Sequence, residues 1–258
     1  MTVLLDERKE IIKFSLKMVS SGLTTGSGGN LSIFNRSKGL IAITPSGIEY
    51  SDLTPKDIIL LDLQGNICPV EDTDHNGLPP DAVSSAHCSG HAQTLTNEEN
   101  PAVPDCFIGC HANLKPSSEW GFHLALYRHR ADINAVVHTH SPYATTFACL
   151  NREIPPVHYL VAFAGKKVPV APYATFGTSA LADNILATIN DYNAILLANH
   201  GLVAVGITLP DAFNTAEETE FVARVCFQAE SLGRPVLLPD DEMDRVIDKF
   251  KHYGSGRK

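Results

Sequence analysis

Ala135-Val136-Val137-His138-Thr139-His140 is the stretch that decides how this chain reads. Small and β-branched residues run up to a histidine pair, which predicts a buried strand over 134–139. The flanking segments predict helices over 117–130 and 141–150, so the strand lies between two helices. The alternation continues outward in both directions. Upstream, a helix is expected at 6–21, where Ile12, Leu16, Val19 and Leu23 recur at helical steps and Gly22 marks a stop. Strands follow at 30–35, 40–44 and 57–63. Downstream come an extended run at 168–173, a helix at 178–190 and strands at 193–198 and 202–205. A long helix then presents Ala212, Ala216, Thr219, Ala223 and Cys226 on one face and stops at Gly233 and Pro235. A last helix covers about 240–251. The class is α/β, with no internal repeat.

The 258 residues, 44% of them hydrophobic, suffice for a substantial core in one large domain or two small ones. Net charge is −9, and no Lys/Arg cluster offers a surface for nucleic acid or anionic lipid. The first ten residues carry charge too early for a signal peptide, and no apolar run nears membrane-spanning length. A cytoplasmic protein without membrane or nucleic-acid partners is expected. Six cysteines, at 68, 88, 106, 110, 149 and 226, then read more readily as thiols than as a disulfide framework.

His138 and His140 stand two residues apart on a strand and project to the same face. Their Cα atoms would lie roughly 7 Å apart, close enough for both rings to meet one ion. His200 ends a second apolar strand, Ala194-Ile195-Leu196-Leu197-Ala198, and Gly201 lets the chain turn there. Three histidines suit a zinc ion with a position left for substrate, and iron, cobalt or manganese would also fit imidazole. The bland alternative is three ordinary histidines at strand ends.

Glu119 falls in the first turn of the helix after Pro116. It could complement the helix dipole there, or serve as a general base or fourth metal ligand beside the histidines. His123, four residues on and on the same helical face, reads as a structural or outer partner of the site. Gly28-Gly29-Asn30, Thr44-Pro45-Ser46-Gly47 and the helix start at Ser117-Ser118 are turns whose backbone N–H groups can bind phosphate. Ser117 could equally be a helix cap. No Walker lysine and no G-x-G-x-x-G is present, so the expected anion is a phosphomonoester rather than a nucleotide.

The stretches GSGGNLS, ITPSGIEY, KPSSEW, AVVHTHS, IPPVHYLVAFAG, VPVAPYATFG, LLANHGLVAVG and KFKHYG, in this order, resemble the class II aldolase/adducin family. The resemblance is closest to its branch acting on L-fuculose 1-phosphate, and covers about residues 5–67 and 114–255. It implies a three-layer α/β/α fold around a mostly antiparallel sheet. It also implies a homotetramer with active sites between subunits. By motif match, His138, His140 and His200 would bind one zinc ion per subunit, with Glu119 as both base and metal contact. Gly28, Asn30, Ser46, Gly47, Ser117 and Ser118 would hold the substrate phosphate, and Phe176 would line the aldehyde pocket. Tyr159 would donate a proton into a neighbour's site, and Tyr253 would stand near the aldehyde. The residues alone would make Tyr159 a packing side chain and Tyr253 a tail residue. The implied reaction is reversible cleavage of a ketose 1-phosphate, L-fuculose 1-phosphate by this pattern, to dihydroxyacetone phosphate and L-lactaldehyde.

Residues 68–113 depart from that pattern, since relatives have a short turn there. The chain is therefore read as one domain, 1–258, carrying a polar insertion at about 68–113 that forms a surface loop. Within it, Cys88-x-x-His91 and Cys106-x-x-x-Cys110 have the spacing of a second, structural zinc site, or are scattered thiols. Other activities of the superfamily compete. Pentulose-phosphate 4-epimerases carry Asp where this chain has Glu119, and related decarboxylases read PSKE rather than PSSE. Methylthioribulose-phosphate dehydratase and deoxyribulose-phosphate aldolase activities stay open. An adducin-like scaffold would have lost metal ligands that are all present here.

Overall fold

A computed structural model describes residues 3–68 and 114–252. Seven strands form one sheet: β1 (Asn30–Asn35), β2 (Leu40–Ile43), β3 (Ile59–Asp62), β4 (Ala135–Thr139), β5 (Val170–Ala171), β6 (Ala194–Leu197) and β7 (Gly201–Gly206), in the order β3-β2-β1-β4-β7-β6-β5. Every pairing is antiparallel except β5 with β6, as the family resemblance implies.

Six helices accompany the sheet: α1 (Leu5–Ser20), α2 (Trp120–His129), α3 (Pro142–Cys149), α4 (Ser179–Ile189), α5 (Leu209–Leu232) and α6 (Asp240–His252). Alternation along the strands creates a core on each side. Leu31, Val137, Leu196 and Ala204 face a cluster shared with α1, α3 and α5. Ile43, Val136, Ile195 and Val203 face one shared with α2 and α4. The result is three layers, helix on sheet on helix. Each of the larger fully buried aliphatics contributes about 1.5–3 kcal/mol relative to exposure. The face of α5 predicted from the sequence, Ala212, Ala216, Thr219, Ala223 and Cys226, is the buried one.

Three expectations need correction. In α1 the buried face is Arg8, Ile11, Ser15 and Met18, while Leu16 and Val19 are about two-fifths exposed. Apolar residues occupy several sides of this helix, so the period alone could not orient it. The predicted strand at 57–63 begins only at Ile59, because Thr54 and Asp57 form a capping box around a 3-10 turn at Pro55–Asp57. Glu119 is the N-cap of α2 rather than a residue of its first turn, and Ser117 accepts the Glu119 N–H at 3.3 Å. Among the described residues, no helix is long and apolar enough to cross a membrane.

Candidate active site

The ends of β1, β4 and β6 and the start of α2 meet on the α2 side of the sheet. In the β1–β4 ladder Asn30 stands opposite His138, and in the β4–β7 ladder Val203 does. His138 is fully buried on the last turn of the pleat, with the more exposed His140 just beyond the strand. His200 sits in the tight turn between β6 and β7, where its N–H bonds the Leu197 carbonyl at 3.0 Å. Asn199 before it takes a left-handed φ of 54°, which asparagine tolerates better than most residues.

The three imidazoles converge. Their candidate ligand atoms all lie within 4.8 Å of one another. His138 Nδ1 lies 2.9 Å from the Leu202 carbonyl oxygen. That oxygen can only accept, so Nδ1 carries a proton and Nε2 is the ring atom turned inward, the one that could give a lone pair to a cation. This Nε2 is 3.1 Å from His140 Nε2 and 3.2 Å from Glu119 Oε2. Glu119 Oε1 stands 3.3 Å from His200 Nε2, yet this buried oxygen makes no hydrogen bond. Three imidazole nitrogens facing one another, with a carboxylate oxygen that makes no hydrogen bond beside them, are the donor set of a divalent cation. His138, His140 and His200 could hold it, with Glu119 within reach.

Electrostatics follow from this crowding. Burial works against ionising Glu119, but His138, His200 and the Asn30 amide hold its carboxyl well below the usual carboxylate range. Burial also disfavours the charged form of His138, and the Glu119 carboxylate outweighs it, leaving His138 above its ordinary value. Burial first, and His138 second, push both His140 and His200 down to about 4.

Beside the cluster opens a pocket of about 510 Å³, lined in part by Gly28, Asn30, Ser46, Gly47, Ser117 and Ser118. The backbone stitches these turns together: Ser46 N–H bonds the Lys115 carbonyl at 2.9 Å, and Ser117 N–H bonds the Thr44 carbonyl at 3.0 Å. Tyr50 donates to the Gly29 carbonyl at 2.7 Å, pinning the loop from below. Gly29 has a φ of +71°, and a Cβ there would lie 2.4 Å from the His138 carbonyl oxygen, so only glycine fits.

Phe176 also reaches the pocket, about two-thirds exposed. Tyr159 does not line it; its half-exposed ring packs against His158 and Phe250. Tyr253 and the cysteine and histidine spacing at 88, 91, 106 and 110 lie outside the described residues. Sequence reading missed Tyr173 and Asn199, which line the pocket too. Asn199, in the Asn-His-Gly turn, carried a recognisable signal. Tyr173 carried none.

A family model described as "Class II Aldolase and Adducin N-terminal domain" matches residues 9–227. A 5-deoxy-D-ribulose 1-phosphate aldolase of Bacillus thuringiensis serovar kurstaki is 45% identical over 96% of this chain and 97% of its own. A 5-methylthioribulose-1-phosphate/5-deoxyribulose-1-phosphate aldolase of Rhodospirillum rubrum is 36% identical over 96% and 92%. A solved structure of an L-fuculose 1-phosphate aldolase superposes with a TM-score of 0.76 at 39% identity, covering 95% of this chain and 96% of that one. The likeness runs through sequence and fold over nearly the whole length, and the chain belongs to the class II aldolase and adducin family.

Proposed function

We propose that this class II aldolase reversibly cleaves a ketose 1-phosphate to dihydroxyacetone phosphate and a small aldehyde, at a divalent cation held by His138, His140 and His200. One observation carries the reading: three imidazoles and an ionised carboxylate converge beside a pocket lined by glycine turns and by Ser46, Ser117 and Ser118. A cation there supplies Lewis acidity that draws electron density from the ketose carbonyl and acidifies the adjacent C–H. Three histidines favour zinc, though other divalent ions suit imidazole.

Glu119 is the base. In condensation it takes the proton from the hydroxymethyl carbon of dihydroxyacetone phosphate. In cleavage it returns that proton to the same carbon once the carbon–carbon bond has broken. Its depressed pKa keeps it ionised at neutral pH, and the Asn30 amide holds one oxygen by donating to Oε2 at 3.0 Å. Gly28, Asn30, Ser46, Gly47, Ser117 and Ser118 would grip the phosphate without a cationic side chain.

The aldehyde end faces Tyr173 and Phe176. Relatives named for 5-deoxyribulose, methylthioribulose and fuculose phosphates share a substrate feature: the terminal carbon is apolar, a methyl or a thioether. Two aromatic rings suit such an end. L-Fuculose 1-phosphate would release L-lactaldehyde, and 5-deoxyribulose 1-phosphate would release acetaldehyde. The 45% relative supports the second as strongly as the solved structure supports the first. We place Tyr159 as a proton donor to a neighbouring copy in a homotetramer, because it is half-exposed and off the wall of its own pocket. Tyr253 would serve near the aldehyde.

The test is enzyme-coupled detection of dihydroxyacetone phosphate from a panel of ketose 1-phosphates, with and without a chelator. Product from one or both of these deoxy sugars, lost on chelation and restored by Zn²⁺, is expected. No product from any phosphate, or product indifferent to chelation, rejects the proposal.

A further inference from the structure

Behind Glu119 a hydrogen-bonded line runs into the core. Asn30 Nδ2 donates to Glu119 Oε2 at 3.0 Å. Asn30 Oδ1 lies 2.5 Å from His123 Nε2. His123 Nδ1 lies 2.7 Å from Ser32 Oγ, and Ser32 Oγ lies 2.7 Å from the Tyr127 hydroxyl. Apart from Glu119, no member of the line exceeds 2% exposure, and His123, Ser32 and Tyr127 do not reach the pocket.

Each link has only one possible direction. An ionised carboxylate only accepts, so the amide nitrogen of Asn30 must face Glu119 and its oxygen must face His123. That oxygen only accepts, so His123 carries its proton on Nε2. The Nδ1 of the neutral ring must then accept from Ser32. With its hydrogen committed there, Ser32 Oγ can only accept from Tyr127, whose single hydrogen is then shared between that oxygen at 2.7 Å and the Ser32 carbonyl at 3.0 Å. Burial, with His138 second, lowers the His123 pKa to about 3, in keeping with a neutral ring.

We propose that His123 is a positioning residue: by anchoring the Asn30 amide through its oxygen, it sets where the Glu119 carboxylate stands against the imidazole cluster. Without the His123 donor the amide is held only at its Glu119 end, so amide and carboxylate can shift together away from the imidazole cluster. The role rests on the metal site proposed above. Its chemical basis is general: partners that orient the groups around a metal typically alter affinity by about 10–100-fold.

The experiment titrates metal-free protein with Zn²⁺ and follows melting by circular dichroism, for wild type, His123→Phe and His123→Gln. Phenylalanine keeps the ring's shape but cannot donate, so the Zn²⁺ dissociation constant should rise about 10–100-fold. Glutamine places an N–H₂ near the lost Nε2–H and should stay within about threefold of wild type, as restored hydrogen bonding requires. Unchanged Zn²⁺ affinity in His123→Phe, or equal weakening in both variants, overturns the proposal. Wild-type protein that takes up no Zn²⁺ overturns the metal site and this role together, so the two failures are distinct. Nitrogen-15 NMR of histidine-labelled wild type gives a check that needs no folded variant. The Nε2–H tautomer is expected for His123, and the Nδ1–H tautomer rejects the line.

Discussion

Replacing Gly201 with alanine should loosen the histidine cluster without altering a single ligand. A Cβ built at Gly201 lies 2.4 Å from the Thr139 carbonyl oxygen, 3.0 Å from His140 Cδ2 and 3.4 Å from His138 Cε1. Carbon and carbonyl oxygen settle at about 3.3 Å, so β7 and β4 must part by about 0.9 Å at this point. The obstructing atom is backbone, flanked by the ladder pair Thr139 and Leu202, and cannot swing aside like a side chain. Overpacking of this kind costs about 1–3 kcal/mol. A displacement near 1 Å at reacting groups costs about 10²-fold in rate. Gly201→Ala should therefore melt several degrees lower, bind Zn²⁺ more weakly and release dihydroxyacetone phosphate about 10²-fold more slowly. Melting, Zn²⁺ titration and the coupled assay measure the three effects. Zn²⁺ affinity and turnover both within about twofold of wild type would refute the reasoning, because the seam would then absorb a methyl group without moving the rings.

Glu119→Gln should still take up Zn²⁺ through the three histidines, more weakly for want of the carboxylate, and slow turnover by about 10²–10⁴-fold, the usual range for a general base; unchanged turnover removes Glu119 from that role. Gly121, inside α2, has open space where a Cβ would stand, so Gly121→Ala should raise stability by about 0.5–1 kcal/mol with activity intact, and a lower melting temperature would contradict the helix assignment. In metal-free protein the unfolded state holds a proton on His123 below about 6.5, whereas the folded ring takes one only near 3. Stability should therefore rise with pH across that window, and His123→Gln should flatten the rise; parallel melting curves for the two proteins would count against a neutral buried ring.

The sheet was legible because its strands are short runs set off by turn residues: β1 spans Asn30–Asn35, the residues that follow the glycine loop. The orientation of α1 was not legible, since Ile11, Ile12, Phe14, Leu16, Met18 and Val19 spread apolar surface around the helix and only the sheet decides which side is covered. At the site, the H-x-H spacing and the helix start at Glu119 pointed to groups that do meet. The line through Ser32 and Tyr127 was hidden because it joins β1 to α2 across 91 and 95 residues of sequence. One trace existed: Asn30 and Ser32 are alternate polar residues in β1, on the face turned towards α2. Tyr159 was marked by the family resemblance alone, because a half-exposed ring packed on His158 and Phe250 looks locally like any packing tyrosine.

The pairing of Asn30 with His138 has a consequence for how the chain avoids misfolding. A one-residue slip of β4 against β1 would turn both histidines to the opposite layer and strand them in apolar surroundings. Such a molecule could hide its fault behind a nearly normal hydrophobic interior. It could not bind a cation that demands all three rings. Uptake of the ion would then favour correctly threaded copies over misthreaded ones, making the catalytic group a proofreader of its own scaffold.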